Sequence, residues 1–139
     1  MPSSKKAKQA MLTLLADTRA QANADSQASA IFELGSGWGS LLIPLAKKYP
    51  QRKVVAYELS IMPWLTTAIL IKVLALNNVK LHRQNFLSAD LTDASVILCY
   101  LFPQAMEALE HKIKSQPGRL EYLISNNFSL LSFKPSKTI

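Results

Sequence analysis

A chain of 139 residues is long enough for one domain and too short for two. Hydrophobic residues make up 49% of it and charged residues 18%, a balance that supplies a buried core and excludes an intrinsically disordered protein. The net charge of +7 invites a nucleic-acid partner, while the single cysteine excludes an internal disulfide framework and suits a reducing compartment.

The N-terminal part of the chain predicts one amphipathic helix and a linker. Apolar residues recur at helical spacing within residues 5–20, but the run is too short for a signal peptide. Small polar residues follow at 21–29. We therefore expect residues 1–29 to be a helix and linker ahead of a single domain at 30–139, in a cytoplasmic protein.

Strands and helices are predicted to alternate through the rest of the chain. Five short runs are apolar or rich in β-branched residues, and longer helical segments separate several of them. This alternation predicts right-handed crossovers and a mainly parallel sheet covered on both faces, which is an α/β, Rossmann-like three-layer sandwich. The predicted strands are 30–34, 53–57, 79–83, 95–100 and 120–125, and the predicted helices are 40–48, 60–76 and 103–114.

Residues 61–76 form the longest apolar stretch of the chain. A membrane span needs about 20 predominantly apolar residues, whereas this stretch is shorter and contains Pro63 and Lys72. We therefore expect a buried helix and no membrane span. Ser60 is expected to cap this helix, with Pro63 tolerated in its first turn.

The segment IFELGSGWGS predicts a glycine-rich turn between the first strand and the helix after it. Gly35, Gly37 and Gly39 permit positive φ and let a ligand lie against bare backbone. A turn at the carboxyl end of the first strand is where nucleotide ligands bind in open α/β sheets. Ser36 and Trp38 lie between these glycines and are predicted to share the cofactor site.

Glu33 favours S-adenosylmethionine over a dinucleotide as the ligand of this turn. The dinucleotide fingerprint G-x-G-x-x-G requires a glycine where Ser40 stands, and a carboxylate two residues before Gly35 disfavours a pyrophosphate. S-adenosylmethionine has no phosphate, and its ammonium and sulfonium charges suit a nearby carboxylate. The order Glu-x-Gly-x-Gly-x-Gly therefore predicts S-adenosylmethionine as the cofactor, with a tight turn that binds no ligand as the alternative.

Two further strand ends are predicted to contact the cofactor. Glu58 follows the second strand, where a carboxylate can accept both ribose hydroxyls, and Leu59 lies beside it. The alternative for Glu58 is an ordinary surface glutamate. Asn85 and Phe86 follow the third strand, where an amide can bind an adenine edge and a phenyl ring can pack on its face. For Phe86, plain core packing is the alternative.

Other reactive side chains do not indicate a different chemistry. Cys99 lies within an apolar strand, which favours an inert buried thiol over a nucleophile. His82 and His111 have no suitably spaced partner, so no metal site is predicted. The basic residues are scattered and several lie at predicted helix ends, so the charge alone does not identify a partner.

Several motifs resemble those of a known enzyme class. ELGSGWG is similar to motif I of class I methyltransferases, YELS to their acidic motif after strand two, and SVILCYLFP to the motif after strand four. YELSIMPWL, CYLFPQAMEALEHKI and SNNFSL together resemble bacterial relatives of the lysine methyltransferase that modifies the c subunit of ATP synthase. The resemblance covers about residues 30–139. It implies the strand order 3-2-1-4-5, S-adenosylmethionine as cofactor and a protein-lysine substrate.

The chain departs from this class in two ways. Strands six and seven of the family fold are expected to be missing, because the sequence ends at Ile139, near where the sixth would begin. Strand five would then be an edge that recruits a second copy or is covered by residues 128–139. The fourth-strand motif also lacks the Asn-Pro-Pro-Tyr signature of amide and nucleobase methyltransferases.

Methyl transfer from a sulfonium is an in-line displacement, so the enzyme must hold an acceptor lone pair against the methyl carbon in a dry pocket. Tyr100, at the end of the fourth strand, is expected to line that pocket and the cofactor site and to orient the amine, with ordinary packing beside the cofactor as the alternative. No general base can be named. Two alternatives to protein-lysine methylation stay open. The charge suggests a nucleic-acid (RNA) methyltransferase, and the short C-terminus suggests a truncated, non-catalytic cofactor-binding protein.

Overall fold

The chain forms one twisted parallel sheet with helices on its two faces. A computed structural model describes residues 9–13, 30–35, 38–99, 103–116, 118, 120 and 122–125. Within them the strand order is β3-β2-β1-β4-β5 and every neighbouring pair is parallel. This confirms the predicted Rossmann-like sheet and its order. The strands are β1 (Ala30–Leu34), β2 (Val54–Tyr57), β3 (Val79–His82), β4 (Ala94–Cys99) and β5 (Tyr122–Ser125).

A helix connects each pair of consecutive strands except β3 and β4, between which no helix was predicted. The helices are α1 (Leu42–Lys48), α2 (Ile61–Val73) and α3 (Pro103–Ser115). A single 3₁₀ turn, Phe86–Ser88, lies between β3 and β4. Residues 9–13 are also helical, within the first predicted helix. Most elements begin or end one to three residues from the predicted limits, which is the usual uncertainty at frayed ends.

The core consists of two apolar clusters, one on each face of the sheet. All residues of β1, β2 and β4 are buried, as expected for strands covered on both faces. Phe32 and Leu34 point to the face that carries Met106 and Leu109 of α3. The opposite face joins Ile31 to α1 and to the N-terminal helical residues through Leu42, Leu45, Leu98 and Met11.

The structure contradicts the predicted burial of α2. Thr67 is the only buried residue of this helix, whereas Met62 and Val73 are 62% and 73% exposed. Ser60 is the N-cap residue of α2, as predicted, but its side chain makes no capping hydrogen bond. A helix that is apolar all round is buried on every side only if other elements cover every side. Only one side of α2 packs on the sheet, against β2 and β3. No helix within the described ranges is long and apolar enough to cross a membrane.

The two edge strands of the described sheet are β3 and β5. β3 is an edge strand whose residues are only half-buried or exposed. β5 is the other edge, paired with β4 over Tyr122–Ser125. The tail at 128–139, which was expected to cover this edge, lies outside the described residues, and so do all residues after Ser125.

Candidate functional site

The carboxyl ends of the strands bring the predicted site residues to one edge of the sheet. Two backbone hydrogen bonds join the chain there. The Gly35 amide donates to the Tyr57 carbonyl at 3.0 Å, and the Glu58 amide donates to the His82 carbonyl at 3.0 Å. The ends of β1, β2 and β3 are therefore connected in register. This carboxyl edge is where a ligand binds in an open parallel sheet.

The glycine turn has the backbone conformation that its sequence predicts. Gly35 and Gly39 have φ of 76° and 82°, values that L side chains rarely adopt. A Cβ on Gly39 would lie 3.2 Å from both Cγ2 and Oγ1 of Thr67, so the turn also approaches α2 closely. The Ile43 amide donates to the Gly39 carbonyl at 3.0 Å, which starts the first turn of α1. Ser36 and Gly37 lie outside the described residues.

Glu33 is a buried carboxyl at this edge. Its side chain is 4% exposed, and its Oε2 atom has no hydrogen-bond partner in the described part of the chain. Burial raises the pKa of Glu33 to about 8, and repulsion from Glu58 contributes to the rise. A carboxyl in this state is protonated at neutral pH unless a cation approaches it. The site is therefore arranged to favour a positively charged group near Glu33.

The other residues of the predicted cofactor site lie closer to solvent. Glu58 directly follows β2 and is partly exposed, while Leu59 is 57% exposed. Trp38, in the glycine turn, is half-exposed. These side chains border the same edge as the buried Glu33 carboxyl. Their contacts to a cofactor remain predictions.

Asn85 and Phe86 have structural roles that the sequence only partly indicated. The Asn85 Oδ1 atom accepts a hydrogen bond from the Leu87 amide at 3.0 Å and caps the 3₁₀ turn. Phe86 is half-buried and packs against the core on the α3 face, as its alternative reading expected. The Lys112 ammonium donates to the Leu87 carbonyl at 3.0 Å and holds this turn on α3. Contact of either residue with adenine remains a prediction.

Tyr57 and His82, which end β2 and β3 at this edge, were not assigned to the cofactor site from the sequence. The rings of Tyr57 and His82 stack with 5.2 Å between centroids. Burial raises the pKa of the Tyr57 hydroxyl, and the Asp90 carboxylate adds to the rise. Asp90 accepts hydrogen bonds from the amide and hydroxyl of Thr92, at 2.9 and 2.6 Å, and these bonds lower its pKa. The Asp-x-Thr spacing was the available signal for this turn.

Cys99 is a core residue, as predicted. Its thiol is buried and lies 3.7 Å from the Met106 sulfur. Burial raises its pKa to about 12, which suppresses the thiolate. Among the described residues, no three His, Cys, Asp or Glu side chains are grouped closely enough to hold a metal ion. Tyr100, the predicted pocket residue, lies outside the described residues.

Comparison with known proteins gives one family match. Residues 33–137 match the model of the ANTKMT methyltransferase domain, so the match begins at Glu33 and includes the glycine turn. Among proteins with curated functions, none has a sequence that matches this chain.

Solved structures share the fold at low sequence identity. An RNA methyltransferase from Salinibacter ruber, in complex with S-adenosyl-L-homocysteine, is 21% identical with a TM-score of 0.79, over 100% of this chain and 86% of that one. Coclaurine N-methyltransferase, bound to N-methylheliamine and SAH, is 22% identical with a TM-score of 0.63, over 88% and 37%. PKMT2 from Rickettsia typhi, in complex with AdoHcy, is 19% identical with a TM-score of 0.54, over 66% and 19%.

Proposed function

The chain belongs to the ANTKMT methyltransferase domain family, and on that premise we propose that it transfers a methyl group from S-adenosylmethionine to a lysine side chain of a protein. The observation that carries this proposal is the family match across the whole carboxyl edge, starting at the buried carboxyl of Glu33. The structural relatives bound to S-adenosyl-L-homocysteine support the cofactor.

The residues of the edge fit this cofactor. Glu33 is buried beside Glu58, so a cation is favoured there and a phosphate is disfavoured. Gly35 and Gly39 adopt positive φ and carry no side chain, so a cofactor can approach the backbone of the turn. When bound, S-adenosylmethionine supplies an electrophilic methyl group on a sulfonium. A pyrophosphate cofactor would instead bring like charges together.

Each predicted site residue then has a defined task. Glu33 attracts the ammonium end of the cofactor, and Glu58 accepts hydrogen bonds from the ribose hydroxyls. Leu59 and Phe86 offer apolar surface to the adenine, and the Asn85 amide group binds its edge. Tyr100 orients the acceptor amine, which must be deprotonated before it can attack.

RNA methylation is the second candidate function. The Salinibacter ruber relative favours it, because that protein is an RNA methyltransferase. Most of the described cations lie away from the carboxyl edge, where Arg83 follows β3, and their positions favour a protein substrate instead. Exposed Lys47, Lys48 and Lys53 lie at the end of α1 and before β2, on the opposite edge of the sheet from the predicted cofactor site. A nucleic acid at the reactive methyl group would need its phosphates bound near the carboxyl edge.

The test is transfer of labelled methyl groups in a cell extract. The chain is incubated with methyl-labelled S-adenosylmethionine, and the products are digested separately with protease and with nuclease. We expect the label to be released by protease and recovered as methyllysine after hydrolysis. Label released by nuclease would establish the RNA alternative, and label that never leaves the cofactor would establish a non-catalytic binding protein.

Binding of S-adenosyl-L-homocysteine should raise the melting temperature of the chain. A ligand at 100 times its Kd stabilises the native state by about 2.7 kcal/mol, which is easily measured by calorimetry. NAD at the same concentration should leave the melting temperature unchanged, because the Glu58 carboxylate repels its pyrophosphate and the buried Glu33 carboxyl offers it no positive charge. Stabilisation by NAD alone would refute the assignment of the cofactor.

Replacing Glu58 with alanine should weaken S-adenosyl-L-homocysteine binding by about 1–3 kcal/mol, the loss expected for hydrogen bonds to a charged group. Isothermal titration calorimetry measures this directly. Glu107→Ala is the matched control, since Glu107 is an exposed carboxylate on α3. If both variants bind as tightly as the unmodified chain, the ribose contact lies elsewhere.

A further inference from the structure

Helix α2 exposes an apolar surface that the enzyme fold does not use. We define the outer face of α2 as Ile61, Met62, Leu65, Ile69, Leu70 and Val73, each of which is an exposed large hydrophobic residue. At 100° per residue these six positions fall on one half of the helix, which also contains Thr66 and Lys72. Leu59 and Leu74, just beyond the two ends of the helix, are exposed as well and extend the surface.

The inward side of α2 is largely apolar as well. Thr67 is the buried contact with the glycine turn, and Ile71 packs against the core cluster. A surface helix normally has its apolar residues toward the core and its polar residues toward water. Here α2 is apolar on both sides, so core packing accounts for its inward side but not for the outer face. Contiguous exposed apolar surfaces of this kind mark sites of interaction.

The charge around α2 is almost entirely positive. Residues 38–89, which contain α1, α2, β2 and β3, carry seven lysines and arginines but only one carboxylate, Glu58. Residues 90–116 have the opposite balance, with four carboxylates and two lysines. The cations of the first half, all exposed except Arg52, are Lys47, Lys48, Arg52, Lys53, Lys72, Lys80 and Arg83.

Several of these cations are held along one edge of the sheet. The Asn78 amide donates to the carbonyls of Tyr49 and Arg52, each at 3.0 Å, and so ties the end of α1 to the loop after α2. Lys72 lies in the last turn of α2. The outer face thus has cations around it and Lys72 within it, and the one carboxylate of residues 38–89 is Glu58, which precedes Leu59.

We propose that the outer face of α2 docks on a lipid bilayer that contains anionic headgroups. An apolar helix side bordered by lysines is the combination that binds such a surface, with the side chains at the acyl boundary and the ammonium groups among the phosphates. The 13 residues of α2 span about 20 Å, which is shorter than a hydrocarbon core of about 30 Å, so the helix lies in the interface.

The positive charge around α2 favours an anionic bilayer over a second copy of the chain as the partner of the outer face. A symmetric dimer through this face would leave the seven cations of residues 38–89 in each copy with a single carboxylate, Glu58, to compensate them. An anionic bilayer neutralises the same cations. Because α2 begins directly after Glu58 at the carboxyl edge, docking also sets that edge beside the membrane surface.

Co-sedimentation with vesicles tests the proposal. The full chain is expected to pellet with vesicles of phosphatidylcholine mixed with phosphatidylglycerol, and to do so less with phosphatidylcholine alone or at high salt. The variant M62Q/I69Q/V73Q should lose at least about tenfold in affinity. L87Q is the matched control, because Leu87 is exposed but lies on the 3₁₀ turn. K72Q/K80Q should lose about fivefold for each lysine removed, and K114Q on α3 is its control.

A single-cysteine dye locates the contact. Cys99 is the only cysteine of the chain, and its buried thiol does not compete for labelling. An environment-sensitive dye on I69C should shift to the blue with anionic vesicles, whereas the same dye on L87C should not. This readout does not depend on activity or on the identity of the methyl acceptor.

Three results would overturn the proposal. The chain could stay in the supernatant with every vesicle. The I69C and L87C dyes could respond equally, which would show that α2 is not the contact. Light scattering could show a dimer that M62Q/I69Q/V73Q converts to a monomer without any vesicle binding, which would assign the face to a second copy. Circular dichroism melts confirm that each variant is folded.

Discussion

Replacing Glu33 with glutamine should remove a fall in the free energy of unfolding that the unmodified chain shows between about pH 4.5 and about pH 8. The unfolded chain releases the Glu33 proton near its ordinary pKa of 4.5, whereas the folded chain keeps it until about 8. Between these values the folded state holds one more proton, so its stability falls as the pH rises. The loss is about 1.4 kcal/mol per pH unit, or about 3–5 kcal/mol in total.

Urea unfolding at intervals from pH 5 to pH 9 measures this effect. Above about pH 8 both states have lost the proton, so the contribution of Glu33 becomes constant. The glutamine variant should lack this part of the pH dependence, while Glu107→Gln on the surface of α3 should retain it. Parallel curves for the unmodified chain and the Glu33 variant would show that the carboxyl is charged in the folded protein.

Cofactor binding should reverse the effect of burial on Glu33. A cationic ammonium beside the carboxyl lowers its pKa, so binding near pH 7 should release a proton that the Glu33→Gln variant does not release. Calorimetric titration in two buffers with different ionisation enthalpies counts this proton. Equal proton release in both proteins would show that the cofactor ammonium does not lie beside Glu33.

Replacing Gly39 with alanine should destabilise the chain by about 2–4 kcal/mol and weaken cofactor binding. A φ of 82° costs an alanine about 1–2 kcal/mol, because its Cβ approaches the carbonyl oxygen. The new Cβ would also lie 3.2 Å from two atoms of Thr67, which is tighter than normal contact. The loss of stability is measured by urea unfolding at fixed pH.

A double-mutant cycle with Thr67→Ala separates the two causes. Removing both Thr67 atoms relieves the close contact but leaves the backbone strain, so the double variant should recover part of the stability lost by Gly39→Ala. The stability cost of Thr67→Ala alone supplies the reference. Strictly additive losses of stability would mean that backbone strain accounts for the whole effect. The contact between the new Cβ and Thr67 would then be relieved by a small shift of α2 that costs no stability.

Much of the fold follows directly from local patterns. The nearly continuous apolar run at Ala30–Leu34, which only Glu33 interrupts, predicts β1 with the limits that the structure has, because strands buried on both faces are mostly apolar. The alternation of strands and helices and the family resemblance predicted the order of the sheet. The glycine turn was also predicted from the sequence, because the positive φ of Gly35 and Gly39 is accessible to few other residues.

The sequence by itself therefore determined the strands and the place of the glycine turn, since these depend on neighbouring residues along the chain, while the strand order was implied by the family resemblance. Only the tertiary structure decided which side of α2 meets the core, because its apolar residues are spread around the helix and burial depends on what lies opposite. The raised pKa of Glu33 was decided in the same way, by the protein packed around its carboxyl and by Glu58 brought near from the next strand. Desolvation and repulsion act through space, so neither can be read from the spacing of residues along the chain.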